Sequence, residues 1–142
     1  MSTPESHPLA LVTGSAHRLG KSFALTLARL GYDIVLHYHS AEEEARQTQL
    51  EIESLSRRVY LIQADLTQPS EINNIFTQLE FILHPFDVAQ DKPSSFILEV
   101  LVNSAAFMPS GKVDSLSLET WNTTLDLNLR ARFCLLKPAP KK

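Results

Sequence analysis

Thiol chemistry is nearly absent from this 142-residue chain, which holds one cysteine, Cys134. A lone cysteine forms no internal disulfide, which argues against a disulfide-stapled secreted scaffold and fits a reducing compartment. Cys134 lies in an apolar helical stretch and reads as a small packing residue. Long apolar runs are missing too. Nothing approaches the roughly 18 residues that a membrane-spanning helix needs. The first eight residues, Met1 to Pro8, are polar and lack the apolar core of a signal peptide. Neither sign of charge is in excess. Thirteen Lys and Arg stand against 16 Asp and Glu, for a net charge of −3, so no basic surface for nucleic acid is indicated. These absences lead us to expect a cytoplasmic protein with neither nucleic acid nor membrane as partner. Hydrophobic residues make up 44% of the chain, enough for one domain with a real core.

A second glycine two residues after Gly14 is also lacking, so the common G-x-G-x-x-G fingerprint does not fit. What stands there is Thr13-Gly14-Ser15-Ala16-His17-Arg18-Leu19-Gly20. An apolar run, Leu9 to Val12, leads into it, and a helical pattern follows. Gly14 permits a tight turn and close backbone approach. A helix starting near Arg18 offers unpaired N–H groups and its positive dipole end to an anion. The segment therefore reads as the nucleotide-binding turn of a dinucleotide fold. Gly20-Lys21-Ser22 imitates a GxxxxGK(S/T) phosphate loop, but five residues rather than four separate Gly14 from Gly20. The extra residue displaces the lysine and the hydroxyl relative to the phosphates. The pattern that remains is T-G-x-x-x-G-x-G, with Arg18 at its middle glycine. A strand–turn–helix without a ligand is the alternative.

Strands and helices alternate along the rest. The first strand is expected at 8–13 and the first helix at 18–30, where Leu19, Phe23, Leu27 and Leu30 recur at helical spacing. Gly31 suits a C-cap. A strand at 33–38 and a helix at 41–56 follow, with Glu42 to Glu44 in the first turn as the dipole favours. Ala45, Thr48, Ile52 and Leu55 form that helix's expected inward face. The third strand is 59–63. A helix starting near Pro69 carries an apolar stripe of Ile72, Ile75, Phe76, Leu79 and Leu83. The fourth strand is 97–102, and a last helix runs from about 118 to 137, where Pro138 stops it. Near-continuous apolar strands in βα units imply an α/β fold, a Rossmann-type parallel sheet with helices on both faces. Right-handed crossovers favour the strand order 3-2-1-4. Residues 84–95 carry two prolines and many polar groups, and read as a surface-loop insertion without catalytic role. A flexible segment is expected over 1–7 and a disordered tail over 138–142.

The turn resembles that of the short-chain dehydrogenases/reductases, and its arginine variant resembles their pteridine reductase branch. The resemblance assigns Gly14, Ser15, His17, Arg18, Leu19 and Gly20 to cofactor binding. Four further segments are similar. In His37-Tyr38-His39-Ser40, Tyr38 stands where a cofactor lacking a 2′-phosphate meets an Asp or Glu. With no carboxylate to repel it, a 2′-phosphate is expected to meet Arg18, His39 and Ser40, which favours NADP(H) over NAD. The alternative is that His37 and Tyr38 only cap a strand. In Ala64-Asp65-Leu66-Thr67, the resemblance places Asp65 and Leu66 beside the adenine; the alternative is an Asp65 that caps a turn. Asn103-Ser104-Ala105-Ala106 stands where the family has Asn-Asn-Ala-Gly. The resemblance implies that Asn103 ties neighbouring loops together and that Ser104 and Ala105 border the cofactor. Phe107 is placed either against a flat substrate ring or as plain lining. Asn128 matches the asparagine of the family's Asn-Ser-Tyr-Lys set, whose helix holds a water of the proton relay; a polar residue in a helix interface is the alternative.

A Tyr-x-x-x-Lys pair is absent. Tyr32, Tyr38 and Tyr60 are followed at that spacing by Leu36, Glu42 and Ala64. In the family, the tyrosine exchanges a proton while hydride passes between nicotinamide and a C=O or C=N bond. The lysine lowers its pKa. Such positioned groups account for roughly 10²–10⁴-fold of rate. The resemblance thus implies one incomplete NADP(H)-binding domain over 1–142, truncated before the later strands. A carbonyl or pterin would be the full-length substrate, the assembly a homo-oligomer, and the chain alone inactive. A noncatalytic NADP(H)-binding or interaction module is the other function left open.

Overall fold

A computed structural model describes residues 8–83 and 97–136, together with the backbone of 86–87 and 92–93. Strands β1 (Leu9–Thr13), β2 (Asp33–Tyr38) and β3 (Val59–Gln63) alternate with helices α1 (Arg18–Arg29), α2 (Glu42–Glu53) and α3 (Pro69–Leu83). Two short strands follow, β4 (Phe86–Asp87) and β5 (Lys92–Pro93), then β6 (Leu98–Asn103). The four long strands form one parallel sheet in the order β3-β2-β1-β6, so the expected 3-2-1-4 order holds with β6 as its fourth member. Every residue of β1 and β2 is buried, as central strands covered on both faces must be.

The period-two alternation of a strand sends its side chains to two separate cores. Leu9, Leu11 and Val35 meet Ile72, Ile75 and Leu79 of α3 on one face. Ala10, Val12, Ile34 and Leu36 meet Ala24 and Ala28 of α1 and Ala45 and Ile52 of α2 on the other. The inward face expected of α2 is as the sequence indicated, with Ala45, Thr48 and Ile52 buried.

Helix α1 differs. Its sheet-facing stripe is Gly20, Ala24 and Ala28. The larger Leu19, Phe23 and Leu30 are 64%, 40% and 70% exposed. Small residues at i, i+4 and i+8 let this helix lie close on β1, and close packing decides the buried face here over bulk. The helix ends in a Schellman motif: Gly31 N–H bonds Ala28 O, Tyr32 N–H bonds Leu27 O, and Gly31 takes φ +102°.

The stretch expected as a surface-loop insertion, 84–95, contains one short piece of regular structure. Phe86–Asp87 pairs antiparallel with Lys92–Pro93, a two-residue ladder. The rest of that stretch, and the expected flexible 1–7 and tail 138–142, lie outside the described residues. The last helix is not one continuous α-helix either. It comprises α4 (Leu118–Leu125), a π turn (Asp126–Arg130) and α5 (Ala131–Leu136). Among the described residues no helix is long and apolar enough to cross a membrane.

Candidate functional site

Parallel strands end together, and ligands of such sheets bind beyond their carboxyl ends. At that edge lies a cleft of about 770 Å³ bounded by the segments after β1, β2, β3 and β6. The turn after β1 forms its floor. Gly14 takes φ +62°, and a Cβ there would stand 2.8 Å from Ala105 Cα. A Cβ on Gly20 would stand 2.0 Å from Gly14 O, so the helix start rests directly on the turn. Arg18 also takes a left-handed φ, +54°. This is where the T-G-x-x-x-G-x-G pattern has its middle glycine, and a non-glycine residue there costs about 1–2 kcal/mol. Lys21 donates the first helical bond, to His17 O. The amides of Arg18, Leu19 and Gly20 precede it and have no intrahelical acceptor, the arrangement that suits a helix start to an anion.

Neighbouring side chains fix this turn. The Thr13 hydroxyl accepts from Ser104 N–H at 3.0 Å and Ala105 N–H at 3.1 Å, joining the ends of β1 and β6. The Ser15 hydroxyl donates to Val12 O at 2.7 Å and is wholly buried. Thr48 of α2 donates to Ala16 O at 2.8 Å. His37 accepts the Gly14 N–H at Nδ1, 3.1 Å, and its Nε2 lies 3.0 Å from Ala64 O. Burial lowers its pKa to about 4, against the raising effect of the Ala64 carbonyl, and His39 adds a smaller lowering. The ring is therefore neutral at pH 7.

Asp65 opens the adenine-side wall expected from the sequence. Its Oδ1 accepts from the amide and hydroxyl of Thr67, at 2.9 and 2.7 Å. Burial raises its pKa, but those two bonds and nearby His39 outweigh it, and the carboxyl stays below its usual range. On the opposite wall, Asn128 in the π turn grips the Phe107 backbone twice. Nδ2 donates to Phe107 O at 2.7 Å, and Oδ1 accepts the Phe107 N–H at 2.9 Å. Two residues on, Arg130 pairs with Asp126 at 2.9 Å and donates to Thr67 O at 2.7 Å. The π turn thus joins both walls, in keeping with the placement of such bulges at functional sites.

Of the residues singled out from sequence, Gly14, His17, Arg18, Leu19, Gly20, His39, Ser40, Asp65, Leu66, Ser104, Ala105 and Phe107 line the cleft together. Ser15, Asn103 and Asn128 do not line it. Ser15 is spent on the backbone, and Asn103 Oδ1 is buried without a hydrogen-bond partner among the described residues. Sequence reasoning placed Thr13 in the motif and Thr48 on the inward face of α2 but gave their hydroxyls no bonding role. Their partners, Ala16 O and the amides of Ser104 and Ala105, lie far along the chain and show only in the fold. Met108 and Thr123 also border the cleft.

A nucleotide-sized cleft at the carboxyl edge, floored by a glycine turn and a bare helix start, defines a dinucleotide-binding α/β protein. The sequence profile of the short chain dehydrogenase family matches residues 8–141, and the chain belongs to that family. It is 29% identical to a hydroxynaphthalene reductase-like protein of Metarhizium guizhouense, over 92% of this chain and 45% of the relative. Against the chloroplastic NADPH-dependent aldehyde reductase 2 of Arabidopsis thaliana it is 26% identical, over 94% and 50%. Among solved structures, a short chain dehydrogenase from Burkholderia cenocepacia in complex with NADP superposes with a TM-score of 0.77. That protein is 31% identical over 90% of this chain and 47% of its own. The chain therefore spans about half the length of the relatives it matches.

Proposed function

We propose that this chain is the NADP(H)-binding part of a short-chain oxidoreductase of pteridine reductase-like type. The observation that carries the cofactor is the electrostatics of the cleft around β2. Arg18, His39 and Ser40 all line it, and the position of a ribose-binding carboxylate is held by Tyr38, itself 7% exposed. A 2′-phosphate meets no carboxylate at position 38 and finds a guanidinium, an imidazole and a hydroxyl. The residues fit the rest of the cofactor as well. The amides of Arg18, Leu19 and Gly20 would receive the diphosphate, with Ser15 and His17 shaping the turn around it. Asp65 and Leu66 would flank the adenine. Ser104 and Ala105 would border the nicotinamide side, where small side chains leave room, with Asn103 behind them tying the neighbouring loops together. The NADP-bound short chain dehydrogenase of similar fold supports the same choice.

The cofactor supplies the hydride. The chain's residues bind it and orient it. Phe107 is held by Asn128 at the mouth of the nicotinamide side and would face a flat carbonyl or pterin substrate. Asn128 would act in the proton relay through its helix rather than by direct contact, since its amide is occupied by Phe107. No Tyr-x-x-x-Lys occurs in the sequence. The 142 residues by themselves are thus expected to bind NADPH without reducing a substrate at an enzyme's rate. NADPH binding by fluorescence, set beside NADPH oxidation with dihydrobiopterin, tests both parts. Binding without turnover is expected. Turnover at ordinary enzyme rates of about 1 s⁻¹ or more would contradict it.

A further inference from the structure

We propose that His37 is a positioning residue of the cofactor site, a neutral imidazole that sets the glycine turn by bonding β1 to β3 through β2. The inference deepens the NADP(H) reading and rests on it. The ring sits in the middle of three parallel strands and is 2% exposed. Gly14 N–H points at Nδ1, so Nδ1 must carry a lone pair. The proton then sits on Nε2, where Ala64 O accepts it. One ring thus reads both neighbouring strand ends, and only one of its three protonation states satisfies both bonds. An imidazolium would set N–H against N–H at Gly14. The other tautomer would fail at both contacts.

The main chain of the same residue completes the hold. His37 O accepts from Ser15 N–H at 3.0 Å and lies 3.3 Å from the Ser15 hydroxyl. Gly14 and Ser15 are therefore fixed from one residue, on either side of the peptide that turns toward the anion donors of α1. No other described residue bonds the turn after β1 to the end of β3. Ala64 is followed at once by Asp65 and Leu66, which line the cleft. A shift at His37 would move the diphosphate floor and the adenine wall relative to each other, which weakens a ligand that must span both.

The test uses the whole chain with two readouts. Nitrogen-15 spectra of the imidazoles at pH 7.5 report the tautomer directly, without cofactor. A bare Nδ1 and a protonated Nε2 at His37 are expected. An imidazolium or an Nδ1–H ring would overturn the proposal. In the second arm, His37→Leu removes both bonds and His37→Gln can restore one. We expect the leucine variant to bind NADPH at least tenfold more weakly, with rapid Gly14 amide exchange, and the glutamine variant to lie between. Folded His37→Leu with wild-type affinity and a protected Gly14 amide would also overturn it. Where wild-type chain itself fails to bind NADPH, the NADP(H) reading falls, while the tautomer and the Gly14 amide still decide the role of His37.

Discussion

Replacing Gly20 by alanine sets two effects against each other. Alanine is the better helix former, by about 1 kcal/mol in a helix interior. Against this, the new Cβ would lie 2.0 Å from Gly14 O, 2.7 Å from Gly14 C and 2.9 Å from Ser15 Cα. All three are backbone atoms of the turn that Thr13, Ser15, His37 and Thr48 hold in place, so none can rotate away. Reaching even a tight 3.0 Å contact needs an opening of about 1 Å between α1 and β1. Overpacking of this kind costs about 1–3 kcal/mol, and a backbone clash belongs at the upper end. The clash wins, with a net loss of about 2 kcal/mol, or roughly 6–10 °C in Tm for a chain of this size. Because the opening also moves the amides of α1 away from the cleft, NADPH affinity should fall at least tenfold. Thermal unfolding and a fluorescence titration measure the two together. Gly31→Ala is the control: its Cβ meets nothing within 4 Å, so only its φ of +102° is strained. It should lose stability and keep the affinity of the folded protein. Gly20→Ala with unchanged Tm and unchanged affinity would refute the argument.

Acid should destabilise the fold through His37. The unfolded imidazole protonates below about 6.5 while the folded one resists to about 4. Its contribution is whole above pH 6.5 and is lost as pH falls from 6.5 toward 4, by up to about 3 kcal/mol at roughly 1.4 kcal/mol per unit; unfolding at pH 7.5, 5.5 and 4.5 should show a slope that His37→Gln flattens. Asn128→Ala removes two bonds to the Phe107 backbone. A loss of about 1–2 kcal/mol and faster exchange at the Phe107 amide are expected, and an unchanged amide would count against the clamp. The outer edge of β6 is unpaired among the described residues, and Leu118, Trp121, Leu129 and Leu136 are 73%, 51%, 65% and 70% exposed. Such edges and patches favour association, so light scattering after size exclusion should show more than a monomer; a sharp monomer unfolding cooperatively above roughly 65 °C would contradict this.

The layered α/β plan was legible because β1 and β2 are near-continuous apolar runs and α3 carries its burial in its helical periodicity. Gly14 and Gly31 likewise announced turns that both take positive φ. Helix α1 was less legible. Its Leu19 and Phe23 look like a core face, but the close approach to β1 that Gly20 permits selects the alanines instead. The π turn was hidden because it depends on a contact far along the chain, between Asn128 and the Phe107 backbone. His37 was hidden for a related reason. Its position in the motif suggests a strand cap, and its bonds to Gly14 and Ala64 exist only after three strands have aligned.

The most direct measurement for the central claim is a paired titration of the purified chain with NADPH and with NADH, repeated on Arg18→Glu. The account predicts tighter binding of NADPH, and a variant that loses much more affinity for NADPH than for NADH, since the reading assigns the guanidinium to the 2′-phosphate that NADH lacks. Equal or reversed preference in the wild-type chain, or an equal loss for both cofactors in the variant, would contradict it.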